Sequence, residues 1–110
     1  MAIFEVDEEN YHIVMDKEFS KGNTVILKFG SEFCEACSAL EMELEQLDDM
    51  NDKVSILEID TDQSPEVAEV YDVYQLPTML IFKDNNNNII HEHEGVMLSE
   101  DIQKIIEAQQ

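Results

Sequence analysis

The 110-residue chain carries 26 acidic residues against six lysines and no arginine, a formal charge of −20. Phosphate binding needs a concentrated basic surface, so nucleic acids are excluded as partners and anionic membrane surfaces are disfavoured. The length suits one domain over residues 1–110, and a chain of this size buries enough surface for a core without a metal or disulfide staple.

High net charge keeps a protein soluble and monomeric; the sharper alternative is selection for a cationic partner. The segment Met1-Ala2-Ile3-Phe4-Glu5-Val6-Asp7 has neither a basic region nor a long apolar stretch, so it reads as no secretory signal. No run of roughly 18 apolar residues occurs to span a membrane. The expectation is a cytoplasmic monomer, and in a reducing cytosol two closely spaced cysteines point to catalysis or metal binding.

Along the chain, Phe4 to Val6 reads as a strand and Asn10 to Phe19 as a helix. Val25-Ile26-Leu27-Lys28-Phe29 is an apolar run suited to a strand buried on both faces. From Cys34 the period changes: Cys37, Leu40, Leu44 and Leu47 recur at helical spacing, with Glu41, Glu43 and Glu45 between them. Val54 to Ile59 is again strand-like. Ser64-Pro65 reads as an N-cap followed by proline at the first helical position, with Val67, Ala68, Val70 and Tyr71 behind it. Thr78 to Phe82 and Ile89 to His93 read as two strands joined by a turn at Asn85-Asn86-Asn87-Asn88. Ser99 is expected to cap a last helix carrying Ile102, Ile105 and Ile106. The order β-α-β-α-β-α-β-β-α implies an α/β fold with a mixed sheet of four to five strands, flanked by helices on both faces.

The chemistry lies in Cys34-Glu35-Ala36-Cys37, where a buried strand hands over to a helix. Free backbone N–H groups and the dipole at a helix start favour a thiolate on Cys34. Cys37, one turn on, is placed to attack a mixed disulfide and resolve it. The alternatives are two inert buried cysteines, or zinc ligation with His91 and His93, which share a strand face; no second Cys or His pair supports the latter. Leu76-Pro77-Thr78 is the second signal, since proline cannot donate to a sheet ladder. The sequence itself does not favour a cis bond there.

These residues resemble the thioredoxin family across nearly the whole chain. Phe29 to Cys37 is similar to its strand and active-site segment, with Phe33 at a position usually held by tryptophan. Leu57-Glu58-Ile59-Asp60 is similar to its third strand, Leu76-Pro77-Thr78 to its cis-proline loop, and Gly95 to the glycine after its last strand. The resemblance implies the thioredoxin fold, Cys34 as nucleophile, Cys37 as resolving thiol, and a groove formed by Phe33, Glu35, Ala36, Leu76, cis-Pro77, Glu94 and Gly95. It also implies protein disulfides as substrates, a reductase as electron donor, and no cofactor or metal beyond the cysteine pair.

Several residues depart from the family pattern. Glu35-Ala36 replaces Gly-Pro, Lys28 replaces a buried acid, Ile56 stands where that acid's lysine partner usually lies, and Met42 replaces a helix-kinking proline. An ammonium within an apolar strand must be paired, neutralised or led out to solvent. Glu41 is the expected partner, and Lys28 so placed would serve as a proton acceptor for Cys37. Glu32 and Glu35 flank the first cysteine, and the resemblance puts Glu94 at the border of the groove opposite cis-Pro77; these acids are expected to favour substrates with basic segments. The competing reading is a non-enzymatic interaction module with an acidic surface.

Overall fold

The structure, a computed structural model, describes residues 2–84 and 88–109. Nine elements follow in the expected order: β1 (Ile3–Val6), α1 (Tyr11–Ser20), β2 (Thr24–Gly30), α2 (Glu35–Met50), β3 (Val54–Asp60), α3 (Pro65–Val70), β4 (Thr78–Phe82), β5 (Ile89–Glu94) and α4 (Ser99–Ala108). They build a mixed five-stranded sheet in the order β1-β3-β2-β4-β5. Strands β1, β3 and β2 run parallel, whereas β4 pairs antiparallel with both β2 and β5. The asparagine turn expected between β4 and β5 falls largely on residues 85–87, outside the described residues.

Period-two alternation along buried strands feeds two cores. Val25, Leu27, Phe29, Leu57, Ile59, Leu80 and Phe82 face α1 and α3, where Met15, Val67 and Ala68 close the layer. Ile26, Val54, Ile56, Met79 and Ile81 face the opposite way, onto Leu40, Leu44 and Leu47 of α2 and Ile102 and Ile106 of α4. Lys28 shares the parity of Ile26 and therefore lies beneath α2.

Local chemistry sets the helix ends. The Asp7 carboxylate accepts from the backbone N–H groups of Glu9 and Asn10, both at 2.9 Å, and turns the chain into α1. Helix α2 runs for 16 residues, and Met42 is exposed in its middle. Of the two serines expected as N-caps, Ser64 holds that position before Pro65 and Ser99 does not. Ser64 is the N-cap of α3 but makes no side-chain capping bond. Ser99 lies inside α4, behind an N-cap at Leu98. The Ser99 N–H is satisfied instead by Glu43 Oε1 at 2.9 Å, and its hydroxyl lies 3.3 Å from Gln46 Oε1, tying α4 to α2.

One carboxylate is buried at the end of the sheet opposite the cysteines. Glu18 is 3% exposed. It accepts from Ser55 Oγ at 2.7 Å, Lys21 Nζ at 2.9 Å and Asn23 Nδ2 at 3.4 Å. Burial pushes its pKa up, but the bonds from Ser55, Lys21 and Asn23 outweigh that effect and hold it below the usual glutamate value. Because the folded pKa is depressed, the stabilisation is present above the unfolded pKa of about 4.3 and fades as pH falls through the folded value. Glu18→Gln should therefore cost roughly 1–3 kcal/mol at pH 7. Urea melts should show the gap to wild type closing below about pH 4; a gap independent of pH would rule out the carboxylate's charge as the cause.

Candidate active site

The parallel strands β2 and β3 end together, and the chain leaves β2 through Ser31, Glu32 and Phe33 to enter α2. Cys34 is the N-cap of that helix, and its sulfur accepts the Cys37 N–H at 3.1 Å. A sulfur in this position takes one of the orphan donors of a helix start and meets the positive end of the dipole. Cys34 is half-buried, while Cys37, one turn inward, is 4% exposed. The two are joined as a disulfide, with Cα atoms 5.2 Å apart.

Gly30 explains how Cys37 fits. A Cβ at this position would lie 3.2 Å from Cys37 Sγ, 3.5 Å from its Cβ and 3.7 Å from Lys28 Cε. The bare backbone therefore leaves the space over Gly30 to the Cys37 sulfur on one side and the Lys28 stem on the other.

The antiparallel register Phe29↔Thr78 brings the start of β4 to the same sheet end. There the Leu76–Pro77 bond is cis, as the family resemblance implied. Gly95, at φ 91°, adopts a left-handed conformation that glycine tolerates without strain, and its N–H bonds the Pro77 carbonyl at 2.8 Å. Glu94 pairs with Thr78 and is exposed beside this loop. Phe33 is 88% exposed, Leu76 is exposed at the loop, and Glu35 and Ala36 lie exposed on the first turn of α2. The backbone thus brings all seven expected groove residues to one end of the sheet.

Beside Glu94 lies a cleft of about 290 Å³ whose walls include Asp72, Tyr74, Glu92 and Glu94. The Tyr74 hydroxyl donates to Asp72 Oδ1 at 3.2 Å, and the Asp72 charge raises the phenol's pKa. This cleft was not anticipated, because Asp72 and Tyr74 belong to no periodic pattern in the sequence.

Lys28 is buried and paired, but its nearer partner is not the expected one. Its Nζ lies 3.0 Å from Glu58 Oε2 and 3.9 Å from Glu41 Oε2. Glu58 is brought there by the parallel register Lys28↔Glu58. The pair opens onto a cleft of about 360 Å³ lined also by Gly30, Glu41, Asp60 and Gln63. His91 and His93 stack on β5 with ring centroids 6.2 Å apart. Among the described residues no group of three or more His, Cys, Asp or Glu is arranged to hold a metal ion.

A half-buried sulfur at a helix start, a resolving sulfur one turn inward and a cis-proline loop at the same sheet end define a dithiol–disulfide exchange protein. The thioredoxin family model matches residues 2–108, and the chain belongs to that family. It is 31% identical to thioredoxin of Bacillus subtilis over 107 residues, covering 96% of each chain. It is 29% identical to that of Staphylococcus saprophyticus over 108 residues, 97% of each. Chloroplastic thioredoxin z superposes with a TM-score of 0.83 at 25% identity, over 98% of this chain and 94% of its own. Fasciola hepatica thioredoxin gives 0.81 at 19% identity over the whole of both chains, a likeness of fold. The protein is a thiol–disulfide oxidoreductase working through Cys34 and Cys37.

Proposed function

We propose that the protein reduces protein disulfides in the cytoplasm, as a monomer fed by a separate reductase, without a further cofactor. The observation that carries this reading is the sulfur of Cys34 at the N-cap, bonded to the Cys37 N–H and more accessible than Cys37. The Cys34 thiolate attacks a substrate disulfide; one substrate sulfur leaves as thiolate and takes a proton from solvent. Cys37 loses its proton, attacks Cys34 Sγ and releases the second substrate sulfur. Two electrons pass to the substrate, and the reductase returns them with two protons. Phe33, Ala36, Leu76, Pro77 and Gly95 form the wall against which the substrate strand lies. Equilibration with glutathione tests the direction: a potential well below the cytosolic poise supports a reductase, and one well above it assigns oxidase or isomerase work.

Substrates with basic segments are favoured by Glu35 and Glu94, the latter sharing its cleft with Asp72 and Glu92. Among the described residues the lysine–carboxylate pairs involve Lys21, Lys28 and Lys104, and neither Glu35 nor Glu94 takes part. Carboxylates within a Debye length, about 8 Å at physiological salt, act on a docking peptide largely unscreened. They change association rate more than chemistry. A lysine-rich disulfide peptide should be reduced several-fold faster than a glutamate-rich one at low salt. The preference should shrink in high salt and in the Glu35→Gly, Glu94→Val double variant. Equal rates at low salt would remove the acidic rim as a selectivity device.

A further inference from the structure

Thr78 stands at the first position of β4, and its partners in the sheet are Phe29 on β2 and Glu94 on β5. Pairing on both sides fixes its backbone, and the residue is 6% exposed. The chain just before it is held differently. Pro77 has no N–H to give to a ladder, and its carbonyl is taken by the Gly95 N–H at 2.8 Å. Gln75 and Leu76 lie outside any strand and are exposed. Gln75 also lines the cleft of about 290 Å³, so no packed layer supports the segment from that side. Among the described residues, one hydrogen bond ties these two residues to the sheet: Thr78 Oγ1 donates to the Gln75 carbonyl at 2.6 Å. That is a close O–H···O contact, made by a β-branched side chain that is stiff about its first torsion.

We propose that Thr78 is a positioning residue for substrate binding: its hydroxyl holds Gln75 and Leu76 in place beside Pro77 and so sets the wall on which a substrate strand docks. This rests on the reading given above, in which that strand lies against Leu76 and Pro77. Thr78 touches no reacting atom, and its effect passes through the Gln75 carbonyl. Gln75 is exposed, so a carbonyl freed from the hydroxyl is hydrated by solvent. What is lost is then a fixed position more than a buried bond. The segment samples more conformations, and an incoming strand must order it at an entropic cost to affinity. The cost falls on docking and not on exchange between sulfurs, because Cys34 and Cys37 are positioned by the end of β2 and the start of α2.

Core fit is the competing role for a buried threonine. Valine has nearly the same shape and no donor, whereas serine keeps the donor and loses the methyl. The two substitutions therefore separate a hydroxyl that positions the loop from a side chain that merely fills space.

Single-turnover reduction of a disulfide peptide by the reduced protein, followed over a range of peptide concentrations, separates docking from exchange. Thr78→Val should raise the half-saturating peptide concentration roughly 3- to 10-fold, the worth of one hydrogen bond. The rate at the plateau should not change. Thr78→Ser should restore the wild-type half-saturation. With hydroxyethyl disulfide, too small to lie along the wall, the loss in Thr78→Val should be smaller than with the peptide. Wild-type half-saturation in Thr78→Val would overturn the proposal, as would failure of Thr78→Ser to restore it, which would assign the residue to packing. A lower plateau at unchanged half-saturation, or an equal loss with both substrates, would place the effect at the cysteines and overturn it as well. If Thr78→Val does not fold, Thr78→Ala takes its place under the same criteria. If neither folds, the hydroxyl belongs to the fold and the proposal fails. A wild-type protein that never exchanges with the peptide would instead strike the reading on which it rests.

Discussion

Cys34→Ser should abolish turnover in an insulin-reduction assay, down to the background of the dithiothreitol used to drive it. Cys37→Ser should keep the first step and lose the second, and so accumulate mixed disulfides with its substrates. The difference follows from position. Cys34 Sγ is half-buried at the helix start and accepts the Cys37 N–H at 3.1 Å. Nucleophilic attack is made by the thiolate, and accessible sulfur at a helix N-terminus is where thiolate is favoured. Cys37 is 4% exposed on the buried face of the helix, out of reach of an incoming protein strand. The N-terminal Glu35 lies in the first turn and weakens the dipole's help to Cys34, but it leaves that order unchanged. Mass spectrometry of adducts formed with a disulfide peptide checks the assignment. Preferential trapping by Cys34→Ser would reverse the roles of the two cysteines, and turnover surviving in Cys34→Ser would remove the mechanism.

The strands and helices were legible because burial on both faces of a mixed sheet leaves unbroken apolar runs, and the switch to helical spacing at Cys34 marks the active-site helix. The cis bond at Leu76–Pro77 came only through the family resemblance; nothing in the local residues favours it. Ser99 misled because a serine before an apolar helix looks like a cap whether or not its oxygen is engaged elsewhere. Here its neighbours on α2, Glu43 and Gln46, compete for it. Glu58 was missed as the partner of Lys28 for a different reason. Helix periodicity makes Glu41 visible from the sequence, because i and i+4 neighbours are set by one element. The register between two parallel strands separated by a whole helix is set by tertiary packing, so the Lys28↔Glu58 contact has no local signature. The acidic cleft beside Glu94 was hidden likewise, since Asp72 sits there at φ 55°, a left-handed turn that aspartate tolerates and no pattern announces.

Gly30→Val is the substitution that should separate folding from resolution most sharply. Position 30 ends a central strand, where valine is otherwise a favoured residue. The backbone there is not left-handed, so the objection to a side chain is spatial. Its Cβ would stand 3.2 Å from Cys37 Sγ and 3.5 Å from Cys37 Cβ, before the two valine methyls are added. The Lys28 stem at 3.7 Å closes the other side. Overpacking of this kind typically costs about 1–3 kcal/mol, which a domain with roughly 5–15 kcal/mol of stability survives. Cys37 must then move, and displacement of a reacting group by about 1 Å can cost a hundredfold in rate. The expected protein is folded, melts earlier, and attacks substrate through Cys34 at the wild-type rate. It resolves the mixed disulfide about a hundredfold more slowly and so resembles Cys37→Ser with its thiol still present. Gly30→Ala, which adds the Cβ alone, should fall between the two. Circular dichroism melts together with quenched single-turnover kinetics check the pair of effects. Resolution at the wild-type rate in a destabilised Gly30→Val protein would mean that Cys37 has freedom at this wall that the packing denies it.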